Sequence, residues 1–537
     1  MAFNMSTPLH GVSHASRRRI TRLIHVVATL LLAARFAQAA CIPEDTTHLA
    51  NRQPNQDALA VLLSAQESCP LTTLDFLNLV ESSGGRLEPT MVNFLGFHDP
   101  DDGNFFLFEI VSGQLAGAKV ERGDFLFGHF LGPDSRDQSR LALLTSGLLI
   151  EAIAWDPSKQ MFNFYELTEG CKPPGANWCY RGDSGFILQD IEFLDRQNSG
   201  QGRPFHNRLR CSGCHMNGAL IQKELATPHN DWWTTSRPLA QGSLTPDDTV
   251  GKIFQRLVDA DELAKLVRAG TQRLAASPEY RKALQARSMQ EQLRPLFCAV
   301  ELNIESDPAP SDDRKPTIQI PPGFFADPRL GESSISIPRA NYDRAVEQRR
   351  LQLPPGRQDA DHPWLTPVKA NSDMVMVNGL VEMGVIDNEF VADVLAVDFT
   401  NPLFSASRCG LLTLAPEKGG PDFLNRFQTA LKASSKPAAK ELLDNLTDPK
   451  RDATFHRQQV AAYLNACLNR ASQPEAAGEW LDVLVQRRAA VETDELSRHP
   501  RGHITESPDR VVFPSPADSA PGAPVGLTPA CEAHRLQ

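Results

Sequence analysis

Residues 210–215 read Arg-Cys-Ser-Gly-Cys-His, a single C-x-x-C-H in a chain of 537 residues. Two thiols three residues apart can each form a thioether to a porphyrin edge, and the histidine that follows is set beneath the iron as an axial ligand. The motif predicts one covalent haem c, attached through Cys211 and Cys214, with His215 on the iron. It also constrains the fold, because a broad, flat cofactor tied to residues 211–215 must have their sequence neighbours among its neighbours in space. Zinc and redox readings fit less well. A zinc site needs further ligands at metal spacing, and no second C-x-x-C occurs. A thioredoxin-like dithiol belongs in a βαβ setting, whereas basic and polar residues precede this motif and Met216-Asn217-Gly218 follows it.

The N-terminal residues predict export. Arg17, Arg18, Arg19 and Arg22 form a basic region, Leu23 to Ala34 is a short apolar stretch, and Ala37-Gln38-Ala39 offers a small-x-small cleavage site. The apolar run is too short to span a bilayer, and no later stretch is apolar enough to do so. Residues 1–39 thus read as a signal peptide, which places the mature chain in the periplasm or outside the cell. Their removal takes away five arginines and no acid, moving the formal charge from −11 to −16. A balance this acidic argues against nucleic acid as a partner and against adhesion to anionic lipid by charge.

An oxidising compartment suits disulfides. With Cys211 and Cys214 on haem, eight cysteines remain. Cys171 and Cys179 bracket the turn-rich Lys172-Pro173-Pro174-Gly175, and Cys41 with Cys69 forms a second local pair. Spacing leaves the pairing of Cys298, Cys409, Cys467 and Cys531 open.

Along the chain the character changes several times. Residues 41–85 lean helical, with Ala58, Leu59, Val61 and Leu62 on one short helix. A β-rich domain follows over 86–200. Its apolar or alternating runs are Phe105–Phe108, Phe125–Phe127, Leu141–Ile153, Met161–Tyr165 and Phe186–Phe193, which predict an antiparallel sheet of five or six strands. Residues 201–302 hold the haem-attachment segment and then helices. Ile253, Leu257, Leu263, Leu266 and Val267 follow helical spacing, and Ser277-Pro278-Glu279 is a helix start. Ten prolines between Pro308 and Pro363 mark 303–366 as a long irregular connection over the surface or beside the haem. A helical domain spans 367–496, where Phe423, Leu424, Phe427 and Leu431 share a face, as do Val460, Tyr463, Leu464, Cys467 and Leu468. The tail, 497–537, carries seven prolines and no periodicity and reads as extended or disordered. The fold class is α+β: an antiparallel β-rich N-terminal part leading into a c-type haem site, followed by a mainly α-helical C-terminal half.

Other residues are candidates for the pocket. Trp232, Trp233 and Trp178 carry broad faces suited to a porphyrin, and Arg208 and Arg210 carry guanidinium forks suited to its propionates. His229 is a candidate distal ligand or hydrogen-bond donor. Met374, Met376 and Met383 are core methionines of a type that can also supply a thioether ligand. The sixth iron ligand stays open.

The stretches Phe162-Asn163-Phe164-Tyr165-Glu166, Trp178-Cys179-Tyr180-Arg181-Gly182-Asp183 and Leu209-Arg210-Cys211-Ser212-Gly213-Cys214-His215 resemble an exported c-type cytochrome. A β-rich segment followed by C-x-x-C-H, over about residues 90–220, also resembles the cytochrome P460 group, small β proteins with one c-type haem and an open coordination position. The first resemblance implies a monohaem carrier of single electrons working with a redox partner protein. The second implies a haem oxidoreductase, peroxidase-like or P460-like, with an open distal side and a small-molecule substrate. A haem-based sensor or binding protein is the third class. The sixth ligand separates them.

Overall fold

A computed structural model describes residues 41, 54–92, 105–130, 150–168, 177–188, 215–220, 252–253, 255–299, 301–305, 316–320, 323–349, 365–369, 371–402, 405–449, 453–484, 486, 511–512 and 525–535. The expected signal peptide, Cys171, Arg208, Arg210, Cys211, Cys214, His229, Trp232 and Trp233 lie outside the described residues.

The N-terminal half carries an antiparallel sheet and the C-terminal half is mostly helical. Two short helices come first, α1 (Ala58–Ser64) and α2 (Thr73–Ser82), each capped by the residue before it: the Asp57 carboxylate accepts from the Ala60 N–H, and the Thr72 hydroxyl from that of Asp75. The strands are β1 (Arg86–Val92), β2 (Phe105–Leu115), β3 (Ala118–Val120), β4 (Phe125–Phe130), β5 (Ile150–Asp156), β6 (Met161–Thr168) and β7 (Asn177–Asp183). They form one sheet in the order β1-β2-β4-β5-β6-β7, with β3 paired to β2. Among the described residues this sheet has seven strands rather than five or six.

Alternation along the strands decides what the sheet covers. Side chains of successive strand residues point to opposite faces. Phe125, Phe127, Ala152, Ala154, Tyr165 and Leu167 therefore share one face, packed against Leu59, Leu62, Phe76 and Val80 of α1 and α2. Leu126, Ile153, Phe162 and Phe164 look the other way and join the core of the later helices. Both faces are buried, and β6 takes part in both.

One expected strand is a helix. Phe186–Leu188 belong to α3 (Ser184–Leu188), which starts where β7 ends because the Asp183 carboxylate accepts from the Phe186 N–H at 3.0 Å. Residues 189–193 lie outside the described residues.

Next come α4 (Ala260–Ala276), α5 (Pro278–Gln285) and α6 (Met289–Phe297). The region read as an irregular connection contains a hairpin, β9 (Thr317–Ile320) with β10 (Ile335–Pro338), and the helix α7 (Arg339–Arg349). Of the described prolines, Pro316 directly precedes β9 and Pro338 is the last residue of β10. The Pro316 carbonyl accepts from the Arg339 N–H, and Ile320, Phe325, Ile335 and Ile337 are buried in the helical core. Strand β8 (Glu301–Glu305) lies between β11 (Leu365–Lys369) and β12 (Val511–Val512).

The C-terminal helices include α8 (Asn371–Glu382), α9 (Asn388–Ala396), α10 (Ala406–Cys409), α11 (Phe423–Ala433), α12 (Pro437–Thr447) and α13 (Ala453–Ala471), and residues 474–484 are helical as well. Phe423, Phe427 and Leu431 are buried along one face of α11; on α13 Val460, Tyr463, Leu464 and Cys467 are buried while Leu468 is half exposed. The tail is not wholly unstructured: β13 (Val525–Leu527) pairs with β14 (Ala533–Arg535), Cys531 is bonded to Cys467, and the Trp480 indole donates to the Cys531 carbonyl at 3.2 Å.

Cys41–Cys69 is bonded as the spacing predicted, and Cys298–Cys409 and Cys467–Cys531 complete the described bridges. Cys179 is also disulfide-bonded; Cys171, its expected partner, lies outside the described residues. Bonds of this kind persist in oxidising compartments. Among the described residues, no helix is long and apolar enough to cross a membrane.

A buried polar layer fixes the N-terminal segment to β5 and β6. The Lys159 ammonium donates to Asn55 Oδ1 (2.7 Å), Asn163 Oδ1 (3.1 Å) and the Tyr180 hydroxyl (3.1 Å). The Asp57 carboxylate accepts from Asn163 Nδ2 at 2.6 Å and from the Tyr165 hydroxyl at 2.5 Å. Because these groups satisfy one another, deleting one donor strands several acceptors. Lys159→Met is expected to lower stability by about 2–3 kcal/mol, read as a lower urea midpoint at unchanged slope; an unchanged midpoint would show the layer to be energetically idle.

Candidate functional site

His215 begins a short described segment, 215–220, that lies on the helical face of the sheet. Its ring sits 5.2 Å from that of Phe164 in β6, centroid to centroid. The side chain is buried, and Nδ1 lies 2.9 Å from the Ala219 carbonyl oxygen. A carbonyl can only accept, so Nδ1 carries the hydrogen and, in the neutral ring, Nε2 keeps its lone pair. Burial pulls the imidazole down to about 4, against the weaker opposing pull of the Ala219 and Leu220 backbone. The ring is therefore neutral at neutral pH, with a defined tautomer.

The turn that follows is held from several directions. Met216–Gly218 is one turn of 3-10 helix, closed by the Gly218 N–H donating to the His215 carbonyl at 2.9 Å. Asn217 has a left-handed backbone, φ +61°, and Gly218 likewise, φ +67°. Asparagine and glycine tolerate this region best, which accounts for Asn-Gly here. Ser184, at the start of α3, donates from its hydroxyl to the Gly218 carbonyl at 2.8 Å. The approach is so close that a Cβ on Gly218 would stand 2.5 Å from the Ser184 carbonyl oxygen and 2.6 Å from its Cα. Gly270 gives α4 similar access to the segment: a Cβ there would meet the Leu220 side chain at 2.4 Å.

Three helices supply the remaining contacts. Ser277 caps α5 by accepting from the Tyr280 N–H, and Pro278 occupies the first turn. This places the Tyr280 hydroxyl 2.5 Å from the Asn217 carbonyl, to which it donates. The Met376 thioether lies 3.2 Å from the same hydroxyl oxygen. Burial pushes the Tyr280 hydroxyl well above its ordinary range, so it stays a donor. A capping box of Ser288 and Glu291 starts α6 and sets Arg294 one turn further on. In the first turn of α8, where a helix dipole favours an acid, lies Asp373. Arg294 makes two bonds to the Asp373 carboxylate, at 2.5 and 2.8 Å, and a third to Asn217 Oδ1 at 3.2 Å. Asn217 Nδ2 donates to Asp373 Oδ1 at 2.7 Å. All three side chains are buried.

Of the residues singled out from the sequence, His215 and Met376 come together around this turn. Met383, further along α8, is partly buried against the helical core, and the Met374 carbonyl accepts from Arg329. Trp178 belongs to the opposite face of the sheet. It packs against Phe76, centroids 5.0 Å apart, and its indole donates to the Pro70 carbonyl, so it is a core residue away from His215. Among the described residues, no three His, Cys, Asp or Glu side chains gather as a metal site. Sequence reasoning missed Phe164, Ser184, Tyr280, Arg294 and Asp373. Asn217-Gly218 carried a turn signal, and Ser277-Pro278 marked the helix that delivers Tyr280. Nothing in the sequence connects Arg294 and Asp373, 79 residues apart.

The chain matches no known family model, curated protein or solved structure.

Proposed function

We propose that the chain is an exported monohaem c-type cytochrome that carries single electrons, with one haem c held covalently by Cys211 and Cys214 and His215 as an axial ligand. The observation that carries this reading is the state of His215. It directly follows the second motif cysteine, it is buried, and its Nδ1–H is committed to the Ala219 carbonyl, so the nitrogen with a lone pair is Nε2. An iron-binding histidine is commonly arranged in this way, its second nitrogen donating to a backbone carbonyl that fixes the ring and raises its basicity. A haem bound here would supply a one-electron iron couple. The chain's own part is to orient the imidazole, hold its hydrogen at Nδ1 and wall the ring with Phe164. The acidic mature surface favours a basic redox partner.

The test is chemical. Haem is expected to stay with the polypeptide through denaturation and acidified organic extraction, and the intact mass to include one haem. His215→Ala is expected to keep the thioethers while the Soret band and midpoint potential shift. Haem that extracts freely, or an unshifted His215→Ala spectrum, would overturn the assignment. Carbon monoxide decides the role: a low-spin ferrous protein that ignores it fits electron transfer, and a high-spin one that binds it turns the reading to catalysis or sensing.

A further inference from the structure

We infer that Arg294 and Asp373 are positioning residues for the haem ligand, acting through Asn217; this inference rests on the haem reading above. Three observations lead to it. Both ends of the Asn217 amide are read at once, Oδ1 by Arg294 at 3.2 Å and Nδ2 by Asp373 at 2.7 Å. That arrangement excludes an amide flip and fixes the side chain in one rotational state. The Asn217 carbonyl is held separately by Tyr280 at 2.5 Å. Finally, the His215 carbonyl and ring are tied to the same short turn, by the Gly218 N–H and the Ala219 carbonyl respectively. A turn that pivots at Asn217 therefore carries the imidazole with it.

A buried ion pair is weak evidence of a gain in stability, because desolvation offsets the attraction. The geometry of this pair is better explained by what it grips. Arginine presents a rigid planar fork, and here two of its contacts go to one carboxylate and a third to the neighbouring amide. The effect on the iron follows from the second nitrogen. A short Nδ1–H···O=C bond makes the imidazole a stronger donor, which favours the ferric state. Loosening the grip on Asn217 lets that bond lengthen, weakens the donor and raises the midpoint potential. The helices α6 and α8 thus set the electronic character of a ligand that neither of them supplies.

Two variants of the full exported chain test this. Asn217→Gly accepts the left-handed backbone and removes the side chain that Arg294 and Asp373 hold. The double replacement Arg294→Met with Asp373→Leu removes the pair without leaving a lone buried charge. Both are expected to keep haem covalently attached, to shift the Soret maximum and to raise the midpoint potential, by more than Lys159→Met does. Lys159→Met serves as the control because Lys159 bonds Asn55, Asn163 and Tyr180 and lies 3.7 Å from Asp183, none of them in residues 215–220, so it reports what loosening the sheet alone does to the potential. Haem-bearing variants whose potential and spectrum match wild type, or move no further than this control, would overturn the positioning role alone. Wild-type protein without covalent haem would overturn both the role and the reading beneath it.

Discussion

Replacing Gly218 with alanine is expected to displace the turn that follows His215 and to cost the fold roughly 2–5 kcal/mol. Two contributions add. A side chain in the left-handed region costs about 1–2 kcal/mol, and forcing an extra carbon into a packed interior costs about 1–3 kcal/mol more. The second contribution is hard to relieve here, because the obstructing atoms are backbone: the Ser184 carbonyl oxygen at 2.5 Å and its Cα at 2.6 Å. A flexible side chain could swing away, but the start of α3 cannot move without disturbing β7. The measurement is urea unfolding of wild type and variant, with bound haem counted per chain by absorbance. Lower stability is the expected result and, on the proposed haem reading, substoichiometric haem accompanies it. Wild-type stability would show that the approach of Ser184 and Gly218 is not structurally required.

Removing the Cys298–Cys409 bridge is expected to cost about 4–5 kcal/mol in the Cys298→Ala, Cys409→Ala double variant. The bond closes a loop of 111 residues, and in the chain-entropy description a loop near that length restricts the unfolded chain by about 4.7 kcal/mol. Both cysteines are buried in the helical core, so two alanines fit without exposing new polar groups. The Cys41–Cys69 bridge, separated by 28 residues, should matter by roughly 1 kcal/mol less. Denaturant unfolding of the two double variants gives both numbers. The opposite ranking would show that local packing, rather than loop length, governs these bonds.

How much of this was legible in the sequence depended on whether the signal was local. The apolar run Met161–Tyr165 is broken only by Asn163, Phe125–Phe127 is marked off by the turn residues Gly123-Asp124, and Ser277-Pro278 announces a helix start, so these could be read directly. Phe186–Leu188 looked like a strand because three apolar residues in a row do not distinguish the two periods; the Asp183 cap decides for helix. The prolines from 308 to 363 concealed a hairpin, although Ile318, Ile320, Ile335 and Ile337 alternate as strands do. At the site, Asn217-Gly218 betrayed a turn, but its partners came from helices 34 to 156 residues away. Packing creates such contacts, and no spacing rule encodes them. Trp178 shows the converse error: an aromatic near the motif in sequence lies on the far face of the sheet, because one strand step reverses a side chain's direction.

The described bridges share a property beyond their stabilising effect. Each joins two cysteines with no other cysteine between them, at 41 and 69, 298 and 409, and 467 and 531, and no loop encloses another. A chain threaded out of the cytoplasm N-terminus first would present each thiol to its correct mate before any competing thiol of a later pair had emerged. Oxidation in order of appearance then produces these bonds directly, with no need for reshuffling. In a chain exported in this way the thiols at 211 and 214 would emerge after the first bridge can close and before Cys298 arrives, which would leave them an interval for the thioether chemistry proposed above.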